Sequence, residues 1–196
     1  MSEVLDFRKT ATTGDQDAPS MHELACPVFF VGFMGAGKTS TARKLARLAG
    51  MAAIDMDTYI ERLDGRKTSQ IFAESGEGAF RELETQVLRQ LVEGDPILVS
   101  CGGGVVLAQE NRALLRDGGG YVVYLKVTAD EAASRISNLS TRPLFNNLEN
   151  ARRIIVDRLP LYEEVADATI DTAGRGTSSI AREVFRLLKR EGILKT

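Results

Sequence analysis

Val28-Phe29-Phe30-Val31-Gly32-Phe33-Met34-Gly35-Ala36-Gly37-Lys38-Thr39-Ser40 is an apolar run that breaks into Gly-x-x-x-x-Gly-Lys-Thr and then enters a helix-like segment, 41–48. A buried strand, a glycine-rich turn and a helix, in that order, are the setting in which this octet binds phosphate. Gly32, Gly35 and Gly37 permit backbone conformations that side chains obstruct, so successive N–H groups can point into one concave nest. The helix that follows adds the positive end of its dipole. Lys38 is then placed to reach the β- and γ-phosphates, and the Thr39 hydroxyl to sit on Mg²⁺. Chance produces this octet in roughly 1% of chains of this length. The stretch reads as a nucleotide-phosphate site at the end of a core strand.

Working outward, strands alternate with helices. Residues 52–57 read as a short buried strand ending in acids, followed by helical pieces at 58–63 and 68–74 and a longer helix over 78–92. In that helix Phe80, Leu83, Val87, Leu88 and Leu91 fall on one apolar face. Residues 96–101 form a continuous apolar strand ended by Gly102-Gly103-Gly104, and 111–116 a short helix stopped by Gly118-Gly119-Gly120. The run 121–127 is the next buried strand, and Thr128 to Glu131 has the spacing of a capping box. Residues 138–150 show no periodicity and read as a mobile loop. Residues 151–165 are helical, with Pro160 expected to kink or split them. A last strand, 168–171, and a last amphipathic helix, 178–191, complete the pattern. Such alternation predicts an α/β three-layer sandwich around a five-stranded parallel sheet, with ligands beyond the carboxyl ends of the strands. Lys38, Asp55, Asp57 and Gly102–Gly104 all fall at those ends.

Length and composition narrow the possibilities. The 196 residues suffice for one substantial core, and 43% hydrophobic with 27% charged residues is ordinary for a globular chain. A net charge of −2 provides no basic field for nucleic acid, and no apolar stretch is long enough to span a bilayer. Two cysteines, Cys26 and Cys101, without metal-ligand spacing, fit a reducing, cytoplasmic setting. The single histidine, His22, lies in a polar stretch, which excludes a histidine triad or zinc site. Residues 1–25 read as a disordered extension, too acidic for a transit peptide and lacking a signal sequence's apolar core. The domain is expected over 26–196. Asp171-Thr172-Ala173-Gly174 fits the Asp-x-x-Gly of GTPases, but no Asn-Lys-x-Asp occurs, so a regulatory GTPase is disfavoured.

Three constellations carry chemistry and each has a plainer reading. Asp55 and Asp57 lie two apart at a strand end and are expected to point the same way. One suits the water shell of Mg²⁺ and the other proton acceptance from an attacking hydroxyl; the plainer alternative is that Asp57 caps the following helix, which would not exclude catalysis. Gly102-Gly103-Gly104 admits a ligand close to backbone N–H groups, or simply makes a sharp turn. Arg81, Arg135, Arg142, Arg158 and Arg175 stand where they could face the same edge or serve as surface charge. Arg81 and Glu84 form an i, i+3 pair.

Taken together, 28–189 resembles the shikimate kinase family of small P-loop kinases, related to nucleoside monophosphate kinases. The resemblance rests on Gly32–Thr39, Asp55-Met56-Asp57, Phe80-Arg81-Glu82-Leu83-Glu84 and Gly102-Gly103-Gly104-Val105. Ser140-Thr141-Arg142-Pro143-Leu144 and Asp157-Arg158-Leu159-Pro160-Leu161-Tyr162 also fit. It implies a P-loop kinase fold with a mobile lid at about 138–150, and transfer of the ATP γ-phosphoryl group to the 3-hydroxyl of shikimate. It further implies that Lys38, Asp57 and Arg142 are catalytic, with Asp57 the base. Arg81 and Arg158 would hold the substrate carboxylate, Glu84 orient Arg81, and Gly102, Gly103 and Gly104 offer N–H groups. Phe72 and Phe80 would line the apolar side. Gly35, Ala36, Gly37, Lys38, Thr39 and Ser40, with Arg135, Arg142 and Arg175, would bind ATP, and Thr39 and Asp55 would belong to the Mg²⁺ shell. The family default is a monomer. Gluconate and nucleoside monophosphate kinases, and a kinase-like protein without activity, are the competing readings.

Overall fold

The computed structural model describes residues 22–135 and 148–195. Its centre is β2 (Val28–Val31), whose four residues are fully buried, as a strand covered on both faces requires. Five parallel strands follow the order β3-β4-β2-β5-β6, where β3 is Ala53–Asp55, β4 Leu98–Ser100, β5 Tyr121–Lys126 and β6 Ala168–Asp171. Phe30 pairs with Ser100 on one side and Val123 on the other, so the phosphate loop leaves from the middle of the sheet. Helix α1 (Lys38–Ala49) packs on α7 (Thr177–Arg190), and a linked series of α3 (Thr68–Glu93), α4 (Gln109–Asp117) and α6 (Leu148–Val165) supplies further cover. Two shorter helices, α2 (Met56–Asp64) and α5 (Ala129–Arg135), complete the set. The expected α/β sandwich with a five-stranded parallel sheet is the architecture found. Among the described residues no helix is long and apolar enough to cross a membrane.

Several expectations need correction. Strand β3 ends at Asp55, and Asp57 lies in the first turn of α2 rather than at the strand end. The cap of α2 is Asp55, whose carboxylate accepts from the Thr58 N–H at 3.1 Å, so the alternative of an Asp57 cap fails. The two expected helices at 68–74 and 78–92 are joined end to end in α3, broken only at Gly76 (φ 82°, ψ 171°). Leu148, Glu149 and Asn150, expected in the loop, open α6, and the remainder of the lid, with Arg142, lies outside the described residues. Pro160 does not split α6. Val156, whose carbonyl it leaves without a donor, is 66% exposed, so water can satisfy that carbonyl.

The domain also starts earlier than position 26. A short strand β1 (Glu23–Leu24) pairs antiparallel with β7 (Leu194–Lys195), and His22 is buried edge-on against Phe185. A two-residue strand has no periodicity to betray it, and β7 was missed for the same reason. Both thiols are free, and burial pushes the Cys101 thiol up, so it stays protonated.

Candidate active site

The phosphate loop is built almost wholly from backbone. Gly35 and Gly37 have φ of 82° and 87°, a region that L side chains avoid, and Gly37 is the N-cap of α1. A Cβ at Gly35 would lie 2.8 Å from the Ala132 carbonyl oxygen, so α5 closes the loop from outside. No acid stands in the first turn of α1, which leaves the helix N-terminus uncompensated for an anion. The Lys38 ammonium, nearly buried, donates to the carbonyls of Gly32 (2.8 Å) and Phe33 (3.1 Å). Ala36 is buried and Ser40 is exposed. The Thr39 hydroxyl donates to Asp55 Oδ2 at 2.7 Å and lies 3.0 Å from the Ser100 hydroxyl at the end of β4.

The second half of the site is built from side chains that three helices, α2, α3 and α6, deliver around the Gly102–Gly104 backbone. The Asp57 and Glu84 carboxylates flank Gly102 so closely that a Cβ there would lie 2.8 Å from Asp57 Oδ1 and 2.9 Å from Glu84 Oε1. Glu84, 1% exposed on the otherwise apolar face of α3, accepts from Arg81 at 2.8 Å. Burial raises its pKa, with Arg81 opposing that shift and Asp57 adding to it. Arg81 is held from the other side by Glu77 at 2.9 Å, and its guanidinium covers Gly104, where a Cβ would meet it at 2.4–2.7 Å. Phe80 lies under Arg81, with Phe72 beside it at a ring separation of 4.8 Å. Arg158 and Tyr162, one turn apart on α6, both donate to the Gly103 carbonyl, at 3.3 and 2.6 Å. On its other side Gly103 approaches the phosphate loop, with Met34 N and Gly32 O at 3.5 and 3.8 Å from a Cβ built there. The triple glycine therefore lies between the two halves, and it also makes a turn, with the Val105 N–H donating to the Gly102 carbonyl at 3.2 Å.

Arg135 and Arg175 meet at the loop between β6 and α7. Arg135 donates to the Thr172 hydroxyl at 3.0 Å and to its carbonyl, and it pairs with Glu131. Arg175 is bonded to Glu183 and to the Asp171 carbonyl. Thr177 closes this loop against Gly37, so both arginines stand on the phosphate-loop side of the molecule. A shallow groove of about 320 Å³ along the outside of α3, bordered by Arg81, Glu82, Arg89 and Glu110, shares only Arg81 with this site, and Arg89 and Glu110 are paired with each other there. It is not the site.

Comparison with known proteins decides the family. The family model described as shikimate kinase matches residues 34–189. The curated shikimate kinase of Actinobacillus succinogenes is 40% identical over 165 residues, covering 82% of this chain and 94% of that one. That of Histophilus somni is 37% identical with the same coverage. The chain belongs to the shikimate kinase family. Membership makes it an ATP-dependent phosphotransferase. Among solved structures, the Acinetobacter baumannii shikimate kinase in complex with shikimate superposes with a TM-score of 0.79 at 36% identity, covering 85% of this chain and 95% of that one. A gluconokinase from Sinorhizobium meliloti, at 18% identity and a TM-score of 0.54, shares the fold alone.

Within the family's fold, the donor set suits Mg²⁺. Thr39 and Asp55 present oxygens side by side, and Mg²⁺ typically takes one or two protein oxygens, substrate phosphates and water rather than a protein cage. Among the described residues no cluster of three acids, histidines or cysteines offers such a cage. Two residues escaped the sequence reading. Ser100 was the one hydroxyl at the end of an apolar strand, and Tyr162 stands four residues after Arg158 on the same helical face.

Proposed function

We propose that the chain transfers the γ-phosphoryl group of ATP to the 3-hydroxyl of shikimate, giving shikimate 3-phosphate, ADP and a proton. One observation carries the reading: Gly103 is gripped by Arg158 and Tyr162 on one side and abuts the phosphate loop on the other. An acceptor held at the triple glycine therefore faces a donor held by Lys38. Asp57, beside Gly102, would accept the hydroxyl proton as the new P–O bond forms and the bond to ADP breaks. Arg81 and Arg158 would clamp the carboxylate, a directional grip that lysine could not reproduce. Glu84 fixes Arg81 at 2.8 Å, and Phe80 and Phe72 would cover the ring's apolar side.

On the donor side, residues 35–40 would cradle the phosphates and Lys38 would leave its carbonyls for the β- and γ-oxygens. Mg²⁺, held through Thr39 and Asp55, would supply charge neutralisation between those oxygens. Arg135 and Arg175 would border the adenine, and Arg142, outside the described residues, would bind the transferring group. We assign the described unit, from His22 onward, to one kinase domain, monomeric and cytoplasmic. Two unpaired thiols support a reducing compartment.

The deciding experiment measures ADP release with shikimate, gluconate and AMP under one set of conditions. Release with shikimate is expected; release only with another acceptor overturns the assignment. A single species of about 21 kDa by light scattering would accord with the monomer, and a larger one would refute it.

A further inference from the structure

The Gly103 carbonyl carries two donors that are not equivalent. Tyr162 donates at 2.6 Å, and Arg158 reaches the same oxygen only at 3.3 Å. Tyr162 is 1% exposed and lies parallel to Tyr124, with ring centroids 5.2 Å apart, so its hydroxyl has one available direction. Arg158, which the proposed function sends to the substrate carboxylate, holds that carbonyl through Nη1 alone and by the longer of the two bonds, so its bond is the one that yields as the guanidinium turns to substrate. A carbonyl oxygen left with no donor would oppose that departure.

We propose that Tyr162 is a positioning residue that holds the Gly103 carbonyl on its own, so that Arg158 is released to the acceptor's carboxylate. The inference rests on the reading of Arg158 as the carboxylate clamp. Burial raises the Tyr162 pKa, so the hydroxyl remains a donor throughout the working pH range. Tyr162 touches no reacting atom. Its effect passes through Arg158, and it belongs to ground state and transition state alike, which places it in KM rather than kcat.

The test is a double-mutant cycle on the full chain, with Tyr162→Phe and Arg158→Ala. Phenylalanine keeps the stack on Tyr124 and removes only the hydroxyl. Tyr162→Phe is expected to raise the shikimate KM about tenfold, with kcat within about twofold and the ATP KM unchanged. In the Arg158→Ala background the same change should cost under about twofold. Equal costs in both backgrounds, or an unmoved shikimate KM, overturn the proposal. So does an equal rise in both substrates' KM, which a merely structural role would give. Unmutated protein that fails to turn over shikimate would sink the functional reading itself, and this one with it. Circular dichroism of each variant separates misfolding from the kinetic effect, and a misfolded Tyr162→Phe also refutes a role confined to positioning.

Discussion

The two halves of the site are made from different materials. The proposed phosphate side is one contiguous stretch of backbone N–H groups, a helix end and Lys38, and its local geometry is fixed by glycines. The proposed acceptor side is assembled from α2, α3, the Gly102–Gly104 loop and α6, with Arg81 bonded to carboxylates and Arg158 to the Gly103 carbonyl. A triphosphate is the same in every kinase, so a backbone nest suffices. The acceptor must be told from others, which takes side chains in fixed relative positions. One half is a general device, the other a selective one.

Substitutions can separate them. Asp57→Asn keeps the shape of the acceptor side and removes the base, so kcat should fall on the order of 10²–10⁴-fold while ATP binding persists. Turnover near the unmutated level would dismiss Asp57 from proton transfer. Gly35→Ala attacks the other half: its Cβ would lie 2.8 Å from a carbonyl in a φ region that alanine avoids. An ATP KM raised on the order of 10²-fold is expected, with shikimate affinity by calorimetry little changed. If both affinities fell together, the halves would not be independent.

Gly102→Ala is the matched probe of the acceptor side, since its Cβ meets the Asp57 and Glu84 carboxylates rather than backbone. Displacing Asp57 by a fraction of an ångström should lower kcat by about tenfold, with the ATP KM held. An unaffected kcat would mean that the two carboxylates can yield freely. The smallest effect concerns acid–base linkage. Glu84 has its pKa raised in the fold by burial, so its contribution to stability is present below the ordinary value of 4.5 and is lost as pH rises through the folded value. Melting curves of Glu84→Gln should therefore lack that decline with rising pH. A variant with the same pH profile as the parent would contradict the assignment.

How legible each half was follows from this difference. The phosphate loop could be read because its chemistry is local: strand, glycines, Lys38 and Thr39 are adjacent in sequence. The sheet was equally readable, since buried parallel strands are continuous apolar runs. Spacing alone could not decide whether Arg81 or Arg158 was surface charge, because Glu84, Gly103 and Gly104 become their neighbours only through folding. The resemblance to a family named those residues, and the coordinates bring them together. Ser100 and Tyr162 escaped because a hydroxyl in an apolar strand or on a helix has no pattern of its own. Asp57 was misplaced by two residues of strand, since Asp55 ended the strand by capping the next helix. The pairing of β1 with β7 was invisible because two-residue strands form through distant partners: Leu24 meets Leu194 and Glu23 meets Lys195.

That pairing has a practical side. The parallel strands run toward the phosphate loop, whereas β1 precedes β2 and β7 follows the far end of α7, so both lie at the opposite edge. A linker, affinity tag or surface tether attached after Lys195 would leave from the back of the molecule, with the mouth turned outward. Immobilised that way, the protein should admit nucleotide and acceptor as freely as in solution.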